Sequence, residues 1–134
     1  MDITIHATFL PHTDPDASLA FYRDLLGWEV RADVGKGAMR WITVAPAGAV
    51  SSVVLEPPAM ADGLTDAQRT VISEMISNGS YAFINLACPD VDKAFDELQA
   101  GGADVVQEPT DQPWGVRDCV FRDPAGNTVR IQQA

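Results

Sequence analysis

The sequence has few basic residues and no long apolar run. Nine Lys and Arg are set against nineteen Asp and Glu over 134 residues, which gives a net charge of −10. Such a balance argues against a nucleic-acid partner, because that affinity depends on neutralising phosphates. It also argues against binding to anionic membrane surfaces. No stretch reaches the roughly 20 apolar residues of a membrane span.

Cysteine is scarce as well. Cys88 and Cys119 are too few for a disulfide framework and lack the spacing of a zinc site. Residues 1–10 lack the basic and apolar regions of a secretory signal. We therefore expect a cytoplasmic protein with reduced, mostly buried thiols. The sequence also lacks a phosphate-binding glycine loop and a Gly-x-Ser-x-Gly elbow.

The apolar pattern predicts one strand, one helix and three more strands, twice over. Asp14-Pro15 and Pro89-Asp90 favour helix starts, and Gly27 and Gly101 favour helix ends. The predicted strands cover residues 3–10, 28–34, 39–45 and 51–56, then 81–88, 103–108, 116–121 and 128–132. A spacing of about 74 residues relates Asp16, Phe21 and Gly27 to Asp90, Phe95 and Gly101, as expected for a repeated module.

This division predicts one domain over residues 1–134, with modules at about 1–56 and 81–134. The linker at about 57–80 contains a capping-box pattern from Thr65 to Gln68 and an apolar stripe. We predict a helix over roughly 65–77. It either packs on a sheet edge or forms a lid or dimer element.

Three segments carry a family resemblance. The first, at 14–30, contains Phe21-Tyr22 and Leu26-Gly27, and the second, at 90–103, is its counterpart in module 2. The third combines Trp114-Gly115-Val116-Arg117 with Asp123-Pro124-Ala125-Gly126-Asn127. Together they resemble the vicinal oxygen chelate family of glyoxalases, bleomycin-resistance proteins and extradiol dioxygenases. The resemblance implies an α+β fold of two βαβββ modules, a cupped mixed sheet around a central cavity, and a homodimer.

Enzymes of that family hold a divalent metal through residues on the first and last strands of each module. The resemblance places those positions at Ala7, Glu56, Phe83 and Arg130, with His6 one residue from the first. Only Glu56 is a good ligand there, and Arg130 would repel a cation. We therefore expect no cofactor. The alternative is one divalent ion such as Zn, Ni, Mn or Fe, held by His6 and Glu56. For His6 itself a hydrogen-bonded structural role is the simpler expectation, and His12 is expected to be exposed.

The resemblance also places candidate ligand contacts around the cavity: Glu56, Phe83, Trp114, Arg117 and Arg130. Arg130 can bind an anionic or carbonyl-bearing ligand, or it can form a structural pair with Glu56. Trp114 can stack on a planar ligand. Arg117 can grip a carboxylate or serve in an ion pair.

The function predicted first is binding of a small organic molecule between the modules, without metal, as in the bleomycin-resistance branch. The alternatives are a metal-dependent lyase or dioxygenase and a structural dimer with a vestigial cavity. No catalytic residue is assigned.

Overall fold

The computed structural model describes all residues, 1–134, as two βαβββ modules joined by a helical linker. Module 1 comprises β1 (Ala7–Pro11), α1 (Pro15–Leu19) continued by a π-helical segment (Ala20–Leu25), β2 (Glu29–Lys36), β3 (Met39–Ala45) and β4 (Ser52–Glu56). Module 2 comprises β5 (Phe83–Cys88), α3 (Val91–Ala100), β6 (Asp104–Asp111), β7 (Arg117–Arg122) and β8 (Thr128–Gln133). The predicted α+β fold class is confirmed.

Each module forms its own four-stranded mixed sheet, in the orders β1-β4-β3-β2 and β5-β8-β7-β6. The first and last strands of each module pair in parallel. Ala7 lies opposite Ser52, and Phe83 lies opposite Thr128. Adding 76 to the number of either residue in the first pair gives its equivalent in the second. No backbone hydrogen bond joins the two sheets, so β1 and β5 are both edge strands.

Both module helices begin at an aspartate. Asp14 accepts a hydrogen bond from the Ala17 amide at 3.2 Å, and Asp90 accepts one from the Lys93 amide at 3.1 Å. These caps correspond at 76 residues, so the predicted match of Asp16 to Asp90 is wrong. The helical segment of module 1, Pro15–Leu25, is one residue longer than α3, and its π-helical turn accommodates that residue where the Leu26 amide donates to Phe21 O at 2.9 Å.

The linker helix α2 (Asp66–Ser77) agrees with the prediction. Thr65 Oγ1 accepts from the Gln68 amide at 3.1 Å, and the Thr65 amide donates to Gln68 Oε1 at 2.8 Å, which completes the capping box. By contrast, β1 is shorter than predicted. Residues 1–6 lie outside the sheet because β4 begins only at Ser52, opposite Ala7.

One hydrophobic core contains residues of both modules, including Tyr22, Leu55, Phe95 and Phe121. The turn at 123–127 lies beside this core and joins the modules by hydrogen bonds. Tyr22 Oη donates to the buried carboxylate of Asp123 at 2.6 Å, and Asn127 Nδ2 donates to Pro11 O at 2.8 Å. The conspicuous Asp-Pro-Ala-Gly-Asn segment therefore has a structural role.

The conformation of this turn requires glycine at position 126. Its φ of +97° favours glycine, and a Cβ there would lie 2.7 Å from Ile76 O at the end of α2. The turn thus contacts the linker as well as module 1. None of the helices is long and apolar enough to span a membrane.

Candidate functional site

Each sheet has one face in the core and one face turned away from it. In module 2 the core side chains include Cys119, Phe121, Val129 and Ile131. Because side chains alternate along a strand, the intervening residues form the opposite face. We call these opposite faces the cup faces. That of module 2 contains Phe83, Asn85, Ala87, Asp118, Val120, Thr128, Arg130 and Gln132; that of module 1 contains Ala7, Phe9, Pro11, Trp41, Thr43, Ser52, Val54 and Glu56.

On the cup face of module 2, Arg130 is bound by a carboxylate of its own sheet. Arg130 Nη1 donates to Asp118 Oδ2 at 2.7 Å, and the Arg130 side chain remains 37% exposed. Asp118 Oδ1 accepts from Gln107 Nε2 at 3.0 Å and Gln112 Nε2 at 2.9 Å. The prediction that Glu56 pairs with Arg130 is therefore wrong. Register explains the difference, since Asp118 lies opposite Gln132, diagonal to Arg130.

The ionised form of Asp118 is the stable one. Burial raises the pKa of this carboxyl, but hydrogen bonds from Gln112, Arg130 and Gln107 and the charge of Arg130 outweigh burial. The pKa of Asp118 is consequently lowered from 3.8. An acid among apolar residues in a predicted strand needs a buried partner. That signal in the sequence could have identified Asp118.

Two predicted aromatic contacts lie open to solvent. Phe83 is 71% exposed, on the same cup face as Arg130 and diagonal to it, because Asn85 lies opposite Arg130. Trp114 is 68% exposed at the tip of the β6–β7 hairpin. None of the five surface pockets of the chain contains Phe83, Trp114 or Arg130. In one chain, these three residues do not enclose a cavity.

Arg117 lies on the other face of β7 from Asp118. Its guanidinium donates to Asp92 Oδ1 at 2.7 Å and to Asp111 Oδ1 at 3.3 Å. The hydrogen bonds that Arg117 donates to Asp92 and Asp111 hold its pKa above the ordinary value. The structure therefore places Arg117 in an ion pair, the second of the two predicted roles, and apart from Arg130.

Glu56 ends β4 and lines a separate cavity of about 230 Å³. The linker covers the ends of β1 and β4 here, so that the walls include Phe9, Met60, Ile72 and Tyr81. The Glu56 carboxylate has no hydrogen-bond donor or ion-pair partner, although its backbone oxygen accepts from the His12 amide at 2.8 Å. Burial raises the pKa of Glu56 from 4.5.

The observed strand pairing shows which residues of module 1 correspond to which residues of module 2. At the 76-residue spacing, Ala7 matches Phe83, and Val54 rather than Glu56 matches Arg130. None of these four residues is a good metal ligand. No cluster of three or more His, Cys, Asp or Glu side chains is arranged to hold a metal ion. The residues present do not fit a metal centre of the kind that the resemblance implies.

The two histidines are placed differently from expectation. His12 is buried rather than exposed; its Nδ1 lies 3.0 Å from Ser18 Oγ and its Nε2 lies 2.8 Å from Arg40 O. His6, expected to have a hydrogen-bonded structural role, is exposed and precedes β1. His6 is adjacent to Ser51, whereas Glu56 lies five residues further along β4, or about 16 Å at strand spacing. The structure does not bring His6 and Glu56 together.

The chain has an open surface. Its accessible area is 7885 Å², whereas a compact monomer of this mass exposes about 6,800 Å². Large exposed apolar side chains contribute, among them Ile3 and Ile5 before β1 and Phe9 and Phe83 on the cup faces. Open apolar surface of this kind marks sites of ligand or protein contact.

Known proteins resemble this chain both in sequence and in fold. The model of the Glyoxalase/Bleomycin resistance protein/Dioxygenase superfamily matches residues 4–131. The uncharacterized protein YurT of Bacillus subtilis (strain 168) is 29% identical over 99% of both chains. The crystal structure of UcmS2 superimposes with a TM-score of 0.84 at 27% identity, over 100% of both chains. TnmS3, an antibiotic binding protein from Streptomyces sp. CB03234, gives 0.75 at 29% identity, over 99% of this chain and 98% of its own.

Proposed function

The chain belongs to the Glyoxalase/Bleomycin resistance protein/Dioxygenase superfamily, and we propose that within it the chain is a cytoplasmic, metal-independent binding protein for a small organic molecule. The observation that carries the proposal is the chemistry of the corresponding cup-face positions. Ala7, Val54, Phe83 and Arg130 offer no metal ligands, whereas Phe9 and Phe83 offer open aromatic surface. The similarity to the antibiotic binding protein TnmS3 supports the same class of function.

We further propose that the binding site is completed by a homodimer. Ligand sites usually enclose most of the ligand surface, and no pocket of the single chain contains Phe83 or Arg130. The excess accessible area and the unpaired edges of β1 and β5 support association of two copies. A second cup face opposite Phe83 and Arg130 would complete the enclosure, with Trp114 at its rim.

A neutral apolar dye tests this proposal. Nile red should bind saturably to a species of twice the 14.4 kDa chain mass, as measured by sedimentation. Phe83→Glu should weaken dye binding at least about tenfold, the effect of 1.4 kcal/mol. Val50→Glu provides the control, because Val50 is 86% exposed in the β3–β4 loop, outside both cup faces. Equal loss in both variants, or a monomer that binds no dye, would contradict the proposal.

Metal content provides the second arm of the test. Protein purified without chelator should contain no stoichiometric divalent ion and should bind Nile red equally well with and without added Zn, Ni, Mn or Fe. One tightly held ion per chain would overturn the metal-independent function. The lyase or dioxygenase alternative would then take its place.

A further inference from the structure

Only three of the nineteen acidic residues are not exposed: Glu56, Asp118 and Asp123. Asp118 accepts hydrogen bonds from Gln107, Gln112 and Arg130. The carboxylate of Asp123 accepts from two backbone amides and from the side chains of Tyr22 and Asn127. Glu56 has no such donor. The Glu56 side chain is half-buried, and partial removal of a carboxylate from water without a partner costs free energy, so a partner from outside the chain is favoured here.

The walls around Glu56 restrict the chemistry of that partner. Seven of the ten residues that line the cavity are hydrophobic, and Phe9 and Tyr81 contribute aromatic rings. A cation gains from a carboxylate and from aromatic faces together. The net charge of −10 also raises the local concentration of cations and disfavours anions.

Arg130 offers no equivalent attraction for an anion. Its guanidinium is already bound to Asp118 at 2.7 Å, so the charge of the pair is balanced within module 2. Arg122, on the same cup face, has no ion pair but donates to oxygens of Gly79, Gly126 and Thr128. Glu56 is therefore the cup-face charge that lacks any hydrogen-bond partner, and it favours a cation rather than the anionic ligand expected for Arg130.

We infer that the Glu56 cavity binds a protonated amine carried on an apolar group, with the ammonium at Glu56 and the apolar group against Phe9 and Tyr81. The volume of about 230 Å³ is below the roughly 300–1,000 Å³ of sites for drug-sized ligands. The cavity thus accommodates one amine-bearing group, and the remainder of a larger ligand extends along the cup face of module 1. This inference rests on the proposed small-molecule binding function.

Two probes of similar shape and different charge test the inference. NMR titration of isotope-labelled protein at pH 7 should show at least fivefold tighter binding of 2-phenylethylamine than of 2-phenylethanol, with shifts at Ala59, Leu64 and Tyr81. Glu56→Gln should remove this preference while leaving the affinity for the alcohol within twofold. Glu74→Gln makes the same change on the exposed surface of α2 and should keep the preference.

Equal affinity for the two probes in the wild-type protein, or a preference that persists in Glu56→Gln, would overturn the inference. Nile red binding distinguishes a failure of this inference from a failure of the proposed function. If the dye binds and depends on Phe83 while the amine shows no preference, only the assignment of an amine is wrong. If neither the dye nor the amine binds, the proposed function fails as well.

Discussion

The two modules share one topology but differ in whether their least exposed carboxylates have hydrogen-bond partners. In module 2, Asp118 and Asp123 are surrounded by donors from the chain itself. In module 1, Glu56 lies at a cavity wall with no donor. A satisfied carboxylate contributes to folding, whereas an unsatisfied one lowers stability unless a ligand arrives. Asp118 and Asp123 therefore serve the fold, whereas Glu56 is available for recognition.

The strongest test of the structural role of these carboxylates is Asp123→Ala. This substitution removes the acceptor for Tyr22 Oη and for three donors within the turn, beside the core that joins the modules. Hydrogen bonds to a charged group each contribute about 1.5–3 kcal/mol, so we expect a loss of at least about 3 kcal/mol in the free energy of unfolding. Urea denaturation measures it. Asp96→Ala on the exposed surface of α3 is the control, and a loss no larger than that of the control would show that the turn does not join the modules.

Next in size is Arg130→Met, which leaves Asp118 buried without its counter-charge. Breaking a buried pair costs about 3–5 kcal/mol; because the Arg130 side chain is 37% exposed, we expect about 2 kcal/mol. Adding Asp118→Asn should recover most of the loss. Arg117→Met makes the same change at a pair whose carboxylates are exposed and should cost much less. An equal loss in the free energy of unfolding for both arginine variants would contradict the distinction between a pair with a buried carboxylate and an exposed pair.

The same pair predicts a pH dependence. The folded-state pKa of Asp118 lies below the ordinary value of 3.8, so its contribution is fully present above that value and is lost as the pH falls through the folded-state pKa. Wild-type stability should therefore fall more steeply below pH 3.8 than that of the double variant Arg130→Met/Asp118→Asn, when both are measured by thermal unfolding between neutral and acid pH. Parallel curves would contradict the assignment of the Asp118 charge.

Local sequence patterns predict the helices of this fold, whereas contacts between distant residues cannot be predicted from them. Asp14-Pro15 and the Thr65–Gln68 capping box are local, and the helices they predict are present. The partner of Arg130 depends on the pairing of β7 with β8, which no local pattern encodes. The structure likewise makes Val54, rather than the predicted Glu56, the equivalent of Arg130, because the pairing of the first and last strands relates the modules by 76 residues.

The smallest expected effect is also the one with the opposite sign. Glu56→Gln should stabilise the ligand-free protein, because the folded state holds an ionised carboxylate that lacks a partner. Since burial raises the folded-state pKa of Glu56 above its ordinary value of 4.5, the destabilisation is complete above the folded-state pKa and vanishes below the ordinary value. At pH 7 we expect a gain below about 1 kcal/mol, because solvent screens a partly exposed charge, and a rise of about 2 °C in the melting temperature. The gain should disappear near pH 4, and Glu74→Gln should produce none at either pH. A loss of stability in Glu56→Gln would mean that the chain itself satisfies this carboxylate, and the contrast between the modules would then fail at its most informative residue.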